Sequence, residues 1–218
     1  MADGNCGGGS GSCGLDANCY FGPPIPVLFG GSLGTCIINA FLTDMCGQVT
    51  LLPTPNANLA TALSARVYLT QDPDFPCPVC TDEGSGNTCS SGKNAGQTCT
   101  PLGSANTSID CPPDDFTFLT SLTVPIPSLT TGTSTISDPS GLFCPDQTVA
   151  GAMHLPNART VTEMGTPPGG GTSALAMTLG ATFCIPESGN SLVDIVGGFP
   201  ALGAVTAGGE LDLSQVLP

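Results

Sequence analysis

The sequence predicts an all-β protein held by disulfides, and three observations carry that expectation. Apolar residues alternate with polar ones over long runs, 30 glycines and 21 prolines break most candidate helices, and 12 of the 218 residues are cysteine. Leu63, Ala65, Val67 and Leu69 alternate with Ser64, Arg66, Tyr68 and Thr70, while Leu175, Met177, Leu179, Ala181, Phe183 and Ile185 share one face of a second run. A period of two puts every second side chain on the same side of a strand, so each run buries one face. Short strands separated by Gly, Pro, Asn and Asp indicate a β-sandwich-like architecture. Glycine and proline at this abundance raise disorder as a rival, and the alternation argues against it.

Taken in order, residues 1–19 form a Gly/Cys-rich arm carrying Cys6, Cys13 and Cys19. Residues 20–75 read as a first β unit. Residues 76–112 carry Cys77, Cys80, Cys89, Cys99 and Cys111 in a Gly/Ser/Asn-rich stretch that burial cannot order, so cross-links must. Residues 113–218 read as a second β unit whose last alternating run, Glu210-Leu211-Asp212-Leu213, is expected to be an edge strand. The two units match weakly in order. Pro24-Ile25-Pro26 resembles Pro125-Ile126-Pro127, Gly34-Thr35 and Ile38 match Gly132-Thr133 and Ile136, Cys46 falls on Cys144, and Leu63 to Leu69 fall on Leu179 to Ile185. This predicts an internal duplication over about 20–75 and 113–190.

The duplication makes some cysteines readable. Cys36 aligns with Ser134 and Cys184 with Tyr68, so each unit holds one cysteine its counterpart lacks. The expected pairs are Cys36 with Cys46 and Cys144 with Cys184, the longer loop worth about 3 to 4 kcal/mol. Odd counts then remain in the arm (Cys6, Cys13, Cys19) and in the centre (Cys77, Cys80, Cys89, Cys99, Cys111), so at least one bond is expected to tie arm to centre. An even count at this density points to an oxidising compartment, hence an extracellular or cell-surface protein whose signal peptide has been removed.

Charge excludes several partners. Arg66, Lys93 and Arg159 stand against 17 acidic residues, giving a formal charge of -14, and 9% of residues are charged where soluble domains have roughly 25%. Without a basic patch there is nothing to neutralise a phosphate backbone, so nucleic acid is not an expected partner. Anionic membrane surfaces are equally poor ones. No apolar stretch approaches the ~20 residues needed to cross a bilayer, so no membrane insertion is expected.

Motifs that carry chemistry elsewhere are weak here. Cys77-Pro-Val-Cys80 has a redox form, but the Thr-Asp-Glu-Gly-Ser-Gly-Asn after it cannot sustain the helix that lowers a thiol pKa, and a structural disulfide end is the better reading. Cys77, Cys80, Cys89 and Cys99 offer four thiolates for zinc, yet nine residues separate the second pair, far from ligand spacing. Gly30-Gly31-Ser32-Leu33-Gly34 fits a nucleophile elbow, but Thr35 to Ile38 read as strand and His154 is the single histidine. His154, flanked by Met153 and Leu155 with Met164 nearby, reads as structural rather than as a copper ligand. No catalytic residue, metal ligand or cofactor is therefore expected, structural calcium on the acids at Asp72 and Asp74, Asp82 and Glu83, or Asp110, Asp114 and Asp115 excepted.

From Cys77-Pro-Val-Cys80 through Cys111-Pro-Pro-Asp-Asp, the chain resembles secreted, cysteine-rich bacterial β-module proteins of no known activity. Cys89, Asn94-Ala-Gly, Cys99, Leu129-Thr-Thr-Gly-Thr, Gly141-Leu-Phe-Cys144 and Phe183-Cys-Ile-Pro186 carry the likeness over most of residues 19–205. It implies secretion and a modular β architecture. The expected role is a non-enzymatic extracellular structural protein, a subunit of a filament, surface layer or similar assembly. Its partners would be like subunits or other cell-surface proteins, with a homo-oligomer formed by strand addition. The alternatives are a secreted adhesin or ligand-binding module, disfavoured for glycans by the absence of Trp and the presence of just two tyrosines, and a hydrolase built on Ser32 and His154.

Overall fold

The computed structural model describes residues 20–29, 33–43, 45–50, 56–82, 84, 86–102, 105–150, 159–168 and 174–212. Among these residues eleven strands, one α-helix and a 3-10 turn at Asp115–Thr117 are found: β1 (Ile25–Phe29), β2 (Leu33–Phe41), β3 (Cys46–Thr50), β4 (Asn56–Leu69), β5 (Cys80–Asp82), β6 (Asn87–Cys89), β7 (Phe118–Thr130), β8 (Thr133–Ser137), β9 (Thr160–Met164), β10 (Ala174–Ile185), α1 (Ser191–Gly197) and β11 (Ala201–Asp212). The all-β class expected from the alternation is the class observed. Seven strands form one curled antiparallel sheet in the order β1-β2-β4-β7-β10-β11, with β3 paired to the N-terminal half of β4.

The alternation decides which side chains face inward. On β2 and β4 the ladder sets Ile37 opposite Val67, Asn39 opposite Ala65 and Phe41 opposite Leu63. On β7, Leu122 and Val124 continue the same rows from Ala65 and Leu63. On β10 and β11, Met177, Leu179, Ala181 and Phe183 oppose Gly209, Ala207, Val205 and Gly203. These residues line the concave face, and its buried members Leu63, Val67, Ile126, Leu129, Leu179 and Ala181 make the main core. Each fully buried aliphatic side chain contributes about 1.5 to 3 kcal/mol relative to exposure.

Several matching segments of the two halves are strands in both, although Cys46 opens a strand and its counterpart Cys144 lies in a loop, and the pairings do not repeat. β2 pairs with β1 and β4, whereas the aligned β8 pairs with β9 in a separate two-stranded sheet. β4 also pairs directly with β7, so both halves contribute to one sheet. The β8–β9 hairpin lies over the convex side of β10 and β11, where Ser134 Oγ and Thr182 Oγ1 are 2.8 Å apart and the Thr206 hydroxyl donates to Glu163 Oε2 at 2.6 Å. Phe143, Cys144 and Leu202 form the small core beneath it. The buried Gln147 amide shapes the neighbouring loop: its oxygen accepts from the Phe143 and Cys144 amides at 2.8 and 2.9 Å, and its nitrogen donates to the Val149 carbonyl at 2.7 Å.

The disulfides partly correct the sequence reading. Cys144 is bonded to Cys184, the pair expected within the second unit. Cys36 is bonded to Cys77, not to Cys46. The reason is register: Cys36 lies opposite Tyr68 and Cys46 opposite Ala60 on the same long strand, about 27 Å apart at ~3.4 Å per residue. A disulfide needs Cα atoms about 4.4 to 6.8 Å apart. Cys46 is also disulfide-bonded, to a partner outside the described residues. The remaining central cysteines pair as Cys80 with Cys99 and Cys89 with Cys111. The centre's odd cysteine, Cys77, is thus taken by β2, and the expected bond from arm to centre loses its premise. Cys6, Cys13 and Cys19 lie outside the described residues.

One short helix, α1, forms between the last two strands. The Asn190 side chain accepts from the Leu192 and Val193 amides, and Gly198 closes the helix at φ 67°, a left-handed conformation open to glycine at no steric cost. This one short helix places Val193 in the main core.

Two outcomes test this account. The Thr35 side chain is buried and its hydroxyl has no hydrogen-bond partner, so Thr35→Val is expected to stabilise by about 1 kcal/mol, read as a higher midpoint in urea. Joint replacement of Cys144 and Cys184 by Ala frees a loop of sequence separation 40 and is expected to cost about 4 kcal/mol by the same measurement.

Candidate functional site in an apolar groove

The curled sheet encloses a groove of about 1020 Å³ along its concave face. β2, β4, β7, β10 and β11 supply its walls through the inward residues of the ladders, and α1 reaches it through Val193. Its β11 wall is low because Gly203, Ala207 and Gly209 face inward opposite Phe183, Leu179 and Met177. At Gly203 the missing Cβ admits Phe183, whose Cε2 would lie 2.6 Å from it. At Gly209 a Cβ would meet Met177 Cε at 3.5 Å, an ordinary contact, so the space there is open by choice of residue. Phe21 and Phe41 meet edge to face at one rim, with ring centroids 5.3 Å apart.

Charge is absent from the walls. No Asp, Glu, Lys or Arg is among the described residues lining the groove, and Asn39 and Thr107 are among its few polar residues. Both edge strands of the sheet, β1 and β11, line the same groove. Their edges differ in chemistry. β1 carries Pro26 and follows Pro24, which removes backbone donors, whereas Ala201–Gly209 of β11 holds neither proline nor charge.

The convex face is covered differently. Cys36, Ile38, Ala40 and Tyr68 pack with Tyr20 and Cys77, so the Cys36–Cys77 bond fixes the central segment onto β2 and β4. Within that segment the β5–β6 hairpin is sandwiched by two disulfides whose four cysteines form their own buried cluster. Gly92, at φ 81°, turns the chain where a Cβ would strike the Pro112 carbonyl at 2.3 Å. The Tyr68 ring meets Phe118 at 5.6 Å. Burial raises the Tyr68 phenol above the ordinary tyrosine range, and the Arg66 guanidinium offsets part of that rise.

The residues singled out in the sequence fall in separate places. Cys77 and Cys80 of the C-P-x-C motif bond to Cys36 and Cys99 instead of to each other, so the motif bridges two layers. Cys80, Cys99 and Cys111 bring their sulfurs within 4.8 Å because two disulfides stack there, and bonded sulfurs are not thiolate ligands. Leu33–Phe41 is a strand, so no helix follows the G-x-S-x-G segment; Ser32, Met153, His154 and Leu155 lie outside the described residues. Met164 is exposed on β9. The acids serve turns: Asp72 Oδ1 accepts from the Asp74 and Phe75 amides, Asp82 Oδ1 from the Gly84 and Gly86 amides, and Asp110 Oδ2 from the Thr100 amide. Asp115 takes Lys93 in an exposed ion pair of 2.9 Å. The groove itself went unread in the sequence. Its one available sign is the small-residue alternation of Ala201–Gly209, which marks a strand with little to fill a core.

Comparison of the chain with protein-family models, with curated proteins and with solved structures finds no match. Four disulfides and no free cysteine are found among the described residues, and no described helix is long and apolar enough to cross a membrane.

Tyr68 gives a direct spectroscopic test, because Tyr20 is the one other tyrosine and there is no Trp. Burial favours the neutral phenol, so its stabilisation is complete below the ordinary value of about 10 and is lost as pH rises through the higher folded value. Tyrosinate absorbance is expected to show a component above pH ~10 that coincides with alkaline unfolding, and Tyr68→Phe should abolish it.

Proposed function

We propose that the protein is a non-enzymatic extracellular structural subunit that assembles with like subunits by strand addition at β11. The observation that supports this reading is the edge itself. β11 has β10 on one side and, among the described residues, no strand on the other. Over Ala201–Gly209 it carries no Lys, Glu, Asp or Pro, the features that keep natural edge strands from pairing with other chains. Antiparallel pairing of two copies about Val205 would set Glu210 opposite Pro200 of the second copy, keeping like carboxylates apart. Parallel in-register pairing would stack them, so the antiparallel arrangement is favoured. The charge-poor composition removes most desolvation cost at such a contact, and the disulfides suit a protein exposed to an oxidising medium. A second reading, a ligand-binding module, is supported by the groove.

Sedimentation velocity tests the assembly. The purified chain is expected to associate as concentration rises. A double variant, Ala204→Lys with Gly208→Lys, places cations at two exposed positions of β11 and is expected to weaken association at least about tenfold while leaving the unfolding midpoint in place. A wild-type chain that stays monomeric at high concentration overturns the proposal.

A further inference from the structure

Apart from assembly at β11, we propose that the concave groove is a binding site for an uncharged, elongated hydrocarbon ligand such as a long-chain alcohol or neutral acyl ester. Four observations converge on that occupant. First, the groove measures about 1020 Å³, at the upper end of the ~300 to 1,000 Å³ of small-molecule sites. Its walls are the inward side chains of one continuous sheet, so they offer an unbroken apolar surface to a hydrocarbon chain.

Second, the hollow is built into the sequence. A sheet face that packs on itself sets large side chains against the gap, but here β11 supplies Gly203, Ala207 and Gly209 at three of its inward positions. The large residues opposite, Met177 and Leu179, are nonetheless nearly buried at 8% and 2% exposure. Neighbouring side chains already cover them, so the open apolar surface lies at less buried lining residues such as Phe21, Ile37, Phe41 and Val205. Apolar surface left to water in such a groove is stabilised when an apolar guest covers it.

Third, the electrostatics select a neutral guest. None of the described lining residues is charged, so a carboxylate or phosphate head drawn inside would lose hydration with no cation to replace it. That separates a long-chain alcohol or ester from a free fatty-acid anion. Fourth, the polar Asn39 side chain on β2 lines the groove, and an amide serves a hydroxyl or ester oxygen as donor or acceptor.

A peptide strand is the competing occupant, and the groove favours it less. An added strand needs unpaired backbone on both flanks to close the sheet. Pro24 and Pro26 deprive the β1 flank of donors.

Equilibrium binding of Nile red, an uncharged apolar dye, tests the proposal. Saturable binding at one dye per chain is expected, with displacement by hexadecan-1-ol and not by hexadecanoate at neutral pH. Ala207→Phe, which fills the groove from β11, is expected to weaken dye binding by about tenfold or more, whereas Thr123→Lys, on the other face of β7, should leave it unchanged. Should Ala207→Phe lower the thermal midpoint, Gly209→Leu gives the same reading from a position where a Cβ is tolerated. The proposal is overturned by non-saturable dye binding, by equal displacement with hexadecanoate, or by dye binding that folded Ala207→Phe and Gly209→Leu leave intact. It is equally overturned if the purified chain proves to hold an extended peptide of another copy in the groove.

Discussion

An antiparallel sheet with an apolar residue at every second position must hide one whole face from water, and among the described residues nothing large covers it. Among the described residues the helical elements are α1 and one 3-10 turn at Asp115–Thr117, and β8 and β9 are spent on the opposite side of the sheet. The sheet therefore curls, bringing rows from β2, β4, β7, β10 and β11 toward a common interior. Twist between neighbouring strands, about 20 to 25° per step, gives a six-strand path the curvature this requires. Burial then follows from geometry: Val67, Leu179 and Ala181 are nearly inaccessible although, among the described residues, no second full sheet packs on them.

The convex face is handled by covalent chemistry. Its central segment is short of apolar side chains, and two short strands, β5 and β6, give it few ladder bonds. Sulfur takes the place of a hydrophobic core there. The stacked pairs Cys80–Cys99 and Cys89–Cys111 organise the segment internally, and Cys36–Cys77 docks it on Ile38 and Tyr68. Loop-closure estimates of about 3 to 4 kcal/mol per bond show how such a segment can be ordered with little burial. At the other end of the sheet, Cys144–Cys184 does similar work beside Leu202.

Curling has a consequence at the edges. A sheet that closes fully loses its edges and fills its centre, whereas this one keeps β1 and β11 distinct and leaves a hollow between its walls. The same small residues that keep β11 flat and uncharged as an edge also keep the groove open. Assembly and ligand capture thus draw on one feature of composition, the Ala/Gly-rich stretch from Ala201 to Gly209, through its backbone in the first case and its missing side chains in the second.

The sequence by itself determined the strands and their inward faces. Alternation at Leu63 to Leu69 and at Met177 to Ile185 is a local property, since each residue's side is set by its neighbours along the chain. It also determined that the central segment would need cross-links, and that Cys144 and Cys184 were left to each other once the chain had passed Cys111. Register decided the rest. Whether Cys36 meets Cys46 or Cys77 depends on where two strands land along β4, which neither strand encodes alone. The match between halves likewise predicted strands without predicting their partners, because similar segments took different neighbours in the shared sheet. The groove was the least legible feature. A hollow exists only between walls, and Gly203, Ala207 and Gly209 became its boundary when pairing set them opposite Phe183, Leu179 and Met177.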